Sequence, residues 1–193
     1  MNRVVFALVA WVFVGLEWGL RDALQIGRDN IAPSFVLVLA ALVALWASPG
    51  AAVGGAVVLG LCLDMLHQVP VDGGLKDVVV LGPNALGLAL GAVVVLNVRA
   101  LMFRKNTVTL AVMVLVAGVF AAAVTTALLT ARAMYDPILI GRPAAELWNR
   151  SVSAGASMVL ALPVGFILTR TRWVFGFATD RRGGFRIEST RGA

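Results

Sequence analysis

One cysteine, Cys62, rules out an internal disulfide, and with only one histidine, His67, the usual Cys/His zinc arrangements are ruled out as well. Charge is also scarce. Only 13% of residues are Asp, Glu, Lys or Arg while 60% are hydrophobic, and an ordinary soluble domain carries about twice that charge. The polar/apolar alternation that a membrane β-barrel needs over about ten-residue segments is missing from runs such as VTLAVMVLVAGVFAAAV. There is no P-loop, no HExxH and no GxSxG; no internal repeat stands out, and no linker is long enough to divide the chain. The lone histidine also lacks a serine at its own level, since Ser151 opens a different stretch and Ser34 lies on the inward path of the second. What is left is a single-domain, all-α integral membrane protein, read as non-enzymatic and without cofactor or metal.

What the chain does have is six apolar stretches between short polar loops: Val4–Leu20, Ile31–Ala47, Gly50–Leu66, Leu81–Val98, Thr107–Thr130 and Ser151–Thr169. At about 1.5 Å per residue, such lengths cover most of a hydrocarbon core of roughly 30 Å, so a six-transmembrane-helix bundle is expected over residues 1–178. The first stretch is preceded by Arg3 like a secretory signal, but only Glu17-Trp18-Gly19-Leu20-Arg21 follows it, with no small-x-small cleavage site. Basic residues gather on alternate segments. With the N-terminus inside, the inner segments hold ten bases against Asp180 and Glu188, and the outer loops six bases against six acids. Both termini are therefore expected in the cytoplasm. The basic tail begins where a span ends, at Arg170-Thr171-Arg172-Trp173, which points to anionic lipids at the inner face and not to nucleic acid. Residues 179–193 are expected to be disordered.

Two carboxylates remain inside the spans, where each costs about 2.5–3.5 kcal/mol on insertion scales. Counting along the helices places Glu17, Asp64 and Asn84 at one depth near the outer ends. Around the third span, Gly50, Gly54, Val57, Leu61 and Asp64 share one line, so Asp64 is expected on a small-residue face turned into the bundle. Two readings of it stand: a structural carboxylate bonded to a neighbouring helix or to the Asn84 amide, and a ligand or partner contact. Asn84, Gly87 and Gly91 form a similar stripe whose Gly87-x-x-x-Gly91 spacing suits close helix packing. His67 follows Asp64 by three residues at the interface, and Glu17 is near enough to its span end to reach headgroups. The loop 68–80 is turn-rich and read as mobile. In the loop 131–150, Pro143 followed by Trp148 predicts a short interfacial helix feeding the last span, a segment suited to lying on the membrane or binding a partner.

At Gly60-Leu61-Cys62-Leu63-Asp64, followed after a loop by Leu81-Gly82-Pro83-Asn84-Ala85-Leu86, the chain resembles the rod shape-determining protein MreD family. The basic segment Arg99-Ala100-Leu101-Met102-Phe103-Arg104-Lys105 is similar to the corresponding loop of that family, while the loop between Asp64 and Asn84 is longer than the family usually shows. The resemblance implies a bacterial inner-membrane scaffold of the cell-wall elongation machinery. Its partners would be an MreC-like single-pass protein, a RodA-type glycosyltransferase with its transpeptidase and, indirectly, MreB. The MreD fold is in turn similar to that of the substrate-binding subunits of energy-coupling-factor (ECF) vitamin transporters. That makes a solute-binding subunit the alternative, with Trp18, Glu17, Asp64, Asn84 and Trp148 as its outer layer.

Overall fold

A computed structural model describes residues 3–25, 31–70, 77–100, 106–135 and 142–170. Six helices account for most of them: α1 (Arg3–Leu20), α2 (Phe35–Trp46), α3 (Pro49–Leu66), α4 (Pro83–Val98), α5 (Thr107–Arg132) and α6 (Pro143–Arg170). Four of these, α1, α3, α5 and α6, are long and apolar enough to cross a membrane, and α2 and α4 are shorter apolar helices. The chain has the make-up of a multi-pass membrane protein. The tail 179–193, the bases of 101–105 and the apolar run 138–140 lie outside the described residues.

The helices pack as an arc, α1 against α3, α3 against α4, α4 against α5 and α5 against α6, with α2 on its inner side touching all five. α2 reads FVLVLAALVALW, apolar on every side, and a helix apolar all round is stable only when enclosed. Every residue from Phe35 to Leu45 is buried. α1, at one end of the arc, instead exposes Val4, Leu8, Trp11 and Val12. Such a face is expected of a helix in contact with lipid.

Three expected boundaries are corrected. The second stretch becomes helical only at Phe35, because Pro33 offers no N–H and Ser34 is an N-cap whose Oγ accepts from the Leu37 N–H at 3.1 Å. The predicted interfacial helix and the last span are one continuous α6. Pro143 at its first position needs no N–H partner, Glu146 Oε1 accepts from Arg150 Nε at 2.7 Å, and nothing interrupts the ladder before Ser151. The loop 68–80, read as mobile, carries paired strands at its two ends. Strand β1 (Gln68–Pro70) runs antiparallel to β2 (Asp77–Val79), with Val69 opposite Val78.

Helix contacts are set by small residues, though not all those expected. Gly50, Gly54 and Leu61 of α3 are exposed. The buried side is instead Ala52, Gly55, Ala56, Leu59, Gly60, Leu63 and Asp64, which centres about 130° away and leaves Asp64 at its edge. At Gly60 a side chain would collide with the backbone of Ala85, so α3 and α4 cross there in near backbone contact. Gly87 and Gly91 do the same for α4 and α5, where a Cβ would lie 2.8 Å from the Ala121 and Ala117 carbonyl oxygens respectively. At the opposite end of the bundle, Arg99 Nη1 donates to the Ala44 and Ala47 carbonyls at 3.0 and 2.7 Å, closing the C-terminus of α2 with a cation.

Candidate functional site

Asp64 ends α3 in a buried position, 1% exposed, and its carboxylate meets the start of α4. Oδ2 accepts from the Gly82 N–H at 2.8 Å and the Ala85 N–H at 3.3 Å, and Oδ1 accepts from the Asn84 N–H at 3.0 Å. Pro83, between them, has no N–H. One side chain thus takes all three backbone donors from Gly82 to Ala85, which would otherwise be orphaned in an apolar layer. The charge also lies at the positive end of the α4 dipole. The local sequence suits the arrangement. Gly82 adopts φ +116°, which favours glycine, and Gly60, one turn before Asp64, lets the two helices approach closely enough for the bonds to form. The Pro83 carbonyl in turn accepts from Thr125 Oγ1 of α5 at 3.1 Å.

Asn84 is therefore brought to Asp64, but through its backbone N–H and not through the side-chain amide that the sequence suggested. Glu17 is a second correction. It is buried, not extended to headgroups, and its Oε2 accepts from the Phe35 and Val36 N–H groups at 2.6 and 3.2 Å. With Ser34 capping Leu37, the first three N–H groups of α2 are satisfied. The Ser34 N–H donates to Ser157 Oγ at 2.7 Å, and that hydroxyl donates to the Ser153 carbonyl at 2.7 Å, so α6 holds the same junction.

The single polar layer expected of Glu17, Asp64 and Asn84 is thus two separate caps. Among the described residues no hydrogen bond or ion pair joins the two carboxylates. They also differ in depth. α5 meets the start of α4 at Thr125 and the first turn of α2 at Gly118, seven residues along. Allowing for Leu37 being two residues into α2, that helix begins roughly 7 Å deeper.

His67 is the C-cap of α3. Its Nδ1 lies 2.8 Å from the Leu63 carbonyl, an acceptor only, so Nδ1 carries the proton and donates. Burial pushes the imidazole down from 6.5 to about 4, the Arg21 and Arg150 charges push the same way, and the Leu63 bond and Asp64 oppose them. Gly87 and Gly91 are consumed by packing on α5, and Trp148 stands exposed on the first turns of α6. Ser34, Gly60, Thr125 and Ser157 were missed as site residues. Pro33-Ser34 before an apolar run is a readable cap signal, whereas nothing local marks Ser157 as the partner of a residue 123 positions away.

The arrangement is suited to fixing helices. Both carboxylates already accept two or three N–H bonds, and among the described residues no group of three or more His, Cys, Asp or Glu side chains is placed to hold a metal. Comparison of the chain with protein-family models, with curated proteins and with solved structures finds no match in any of the three.

Proposed function

We propose that the chain is a non-enzymatic scaffold of the bacterial cell-wall elongation machinery. It is MreD-like, with six crossings of the inner membrane and both termini in the cytoplasm. The observation that carries this reading is the use of Asp64. In the segment that resembles MreD, Gly60 to Asp64 and Gly82 to Leu86, the aspartate, the close-packing glycine and the start of the next helix form one interlocked unit. The pattern is thus accounted for by architecture, which is what a protein acting through its surface requires. A solute-binding subunit is less well supported, because Glu17 and Asp64 spend their hydrogen-bonding capacity on the starts of α2 and α4. The partner surface would be the exposed helix faces and outer loops, Trp148 included, meeting an MreC-like protein and through it a RodA-type glycosyltransferase, a transpeptidase and MreB.

The test is affinity purification from native membranes in mild detergent, with mass spectrometry of proteins and small molecules. Recovery of MreC-like and RodA-like proteins without a stoichiometric solute is expected. Recovery of transporter ATPase subunits or a bound vitamin-like molecule would overturn the scaffold reading.

A further inference from the structure

Of the four long apolar helices, α1 and α6, the two ends of the arc, are the least enclosed. Each leaves a seam uncovered. On α1 it is Leu8, Trp11 and Gly15, and on α6 it is Gly155, Val159 and Leu162; Leu8, Trp11 and Val159 are 61%, 77% and 67% exposed, and a side chain added at Gly15 or Gly155 would meet nothing within 4 Å. Two backbone donors fix the depth of these seams. The Ser34 N–H meets Ser157 and the next N–H, of Phe35, meets Glu17, so Ser157 and Glu17 lie at one level. Trp11 is six residues further in, about 9 Å, and the turn from Val159 to Pro163 is two to six residues further in, about 3 to 9 Å. With the roughly 7 Å by which α2 begins below α4, Trp11 stands near the middle of a hydrocarbon core of about 30 Å. Both seams carry an unanswered polar group at that depth. Trp11 Nε1–H has no partner among the described residues, and Pro163, lacking an N–H, leaves the Val159 carbonyl without its donor one turn ahead. Lipid tails can cover leucine and valine, but they offer neither an acceptor to the indole nor a donor to the carbonyl. A second copy of the chain offers both.

We propose that copies of this chain associate head to tail within the membrane, the α1 seam of one copy against the α6 seam of the next, with Trp11 Nε1–H donating to the Val159 carbonyl across the contact. The spacing of the two seams matches. Consecutive helices return on one another, so α1 and α6 are antiparallel, and reading 8, 11, 15 along one and 162, 159, 155 along the other gives the same steps of three and four. Leu8 then meets Leu162, Trp11 meets Val159 and Gly15 meets Gly155, which brings the two glycine notches together and lets the backbones approach closely. Because each copy contributes a different end of its arc, the contact is heterologous: it repeats from copy to copy, as a closed ring or as a row in the plane of the membrane. The proposal goes beyond the scaffold reading and needs none of the partners named there.

The test co-expresses two full-length chains with different tags, both Cys62→Ser, one carrying Gly15→Cys and the other Gly155→Cys, so that any disulfide between the introduced thiols joins two copies. Oxidation with copper phenanthroline in the membrane is expected to give the mixed dimer, and to give none above background when Phe120→Cys, exposed on α5, replaces Gly155→Cys. A second readout is energy transfer between copies labelled on Cys62 in liposomes of varied protein density. Trp11→Phe keeps the aromatic ring and loses the N–H, and is expected to need roughly threefold higher density for half-maximal transfer. Gly15→Leu fills the notch, where its own chain leaves open space, and is expected to abolish the transfer. No mixed dimer with both chains present in the membrane at similar levels, an equally strong product between two Gly15→Cys chains, or an unchanged midpoint in Trp11→Phe would each overturn the proposal.

Discussion

A carboxylate in a membrane helix is costly unless its oxygens are occupied, and Asp64 and Glu17 differ in how many donors depend on them. Asp64→Ala strands three N–H groups, one buried and two part-buried; Glu17→Ala strands two at a helix start that Ser34 still caps. Thermal unfolding in detergent should therefore show Asp64→Ala destabilised by at least about 2 kcal/mol, and Glu17→Ala by less. Asp64→Lys should be worse still, since it puts a cation against the positive end of α4. Equal midpoints for Asp64→Ala and the parent would mean the cap is not formed. The presence of both acids was legible, because a charge within an apolar run stands out. Their partners were not legible, because those partners are backbone N–H groups and a sequence names only side chains. His67 adds a pH dependence of definite sign. Its folded value of about 4 lies below the unfolded 6.5, so the unfolded chain binds the proton first. Stability from this residue is complete above pH 6.5 and is lost as pH falls towards 4, by at most about 3 kcal/mol. Unfolding midpoints measured across that window should fall more steeply in the parent than in His67→Gln.

Helix by helix, the apolar runs were readable to within a residue or two for α1, α3, α4 and α5. The failures have physical causes. A membrane helix buries small residues on one side, but α3 has glycines on both, so periodicity alone chose Gly50 and Gly54 where packing uses Gly55, against Phe6 of α1 and Val43 of α2, and Gly60, against α4. Substitution separates these roles. Gly60→Ala places a methyl group into the Ala85 backbone and should lower the unfolding midpoint and weaken the Asp64 cap. Gly54→Ala meets open space and should be neutral or stabilising by up to about 1 kcal/mol, from helix propensity. Similar behaviour of the two variants would place the α3–α4 crossing elsewhere. One regularity escaped the sequence altogether. Glu17 reaches Phe35 and Asp64 reaches Gly82, each 18 residues ahead, so the hairpins α1–α2 and α3–α4 use the same device. The shared element is a carboxylate one turn before a helix end, bonded to the start of the next helix. Glu and Asp, and unrelated loops, hide it from any comparison of letters.

For the whole molecule, the question is how helices of such different length cross one membrane. α5 and α6, with 26 and 28 residues, measure roughly 39 and 42 Å and exceed the hydrocarbon thickness, while α2, with 12, measures only about 18 Å. The deficit at α2 is made up by non-helical Ile31–Ser34, which adds roughly 13 Å if extended and is tolerated at depth because Ser157 answers the Ser34 N–H. Helix and approach together come to about 31 Å, enough to reach from one face to the other. On the proposed topology the second stretch is a crossing although its helix is short, which makes six crossings and puts the two ends of the chain on the same side. The same proposal takes that side as the cytoplasm, from the excess of Lys and Arg on the segments at Arg3, after Arg99 and after Arg170. Reporter fusions at Arg3 and Ala193 should therefore both give a cytoplasmic signal, and a reporter inserted between Asp72 and Gly73 a periplasmic one. A periplasmic signal at Ala193 with a cytoplasmic one at Arg3 would mean an odd number of crossings, with α2 entering and leaving by the same face as the first candidate. In that event the deep cap formed by Glu17 would mark a re-entrant turn and not the top of a span.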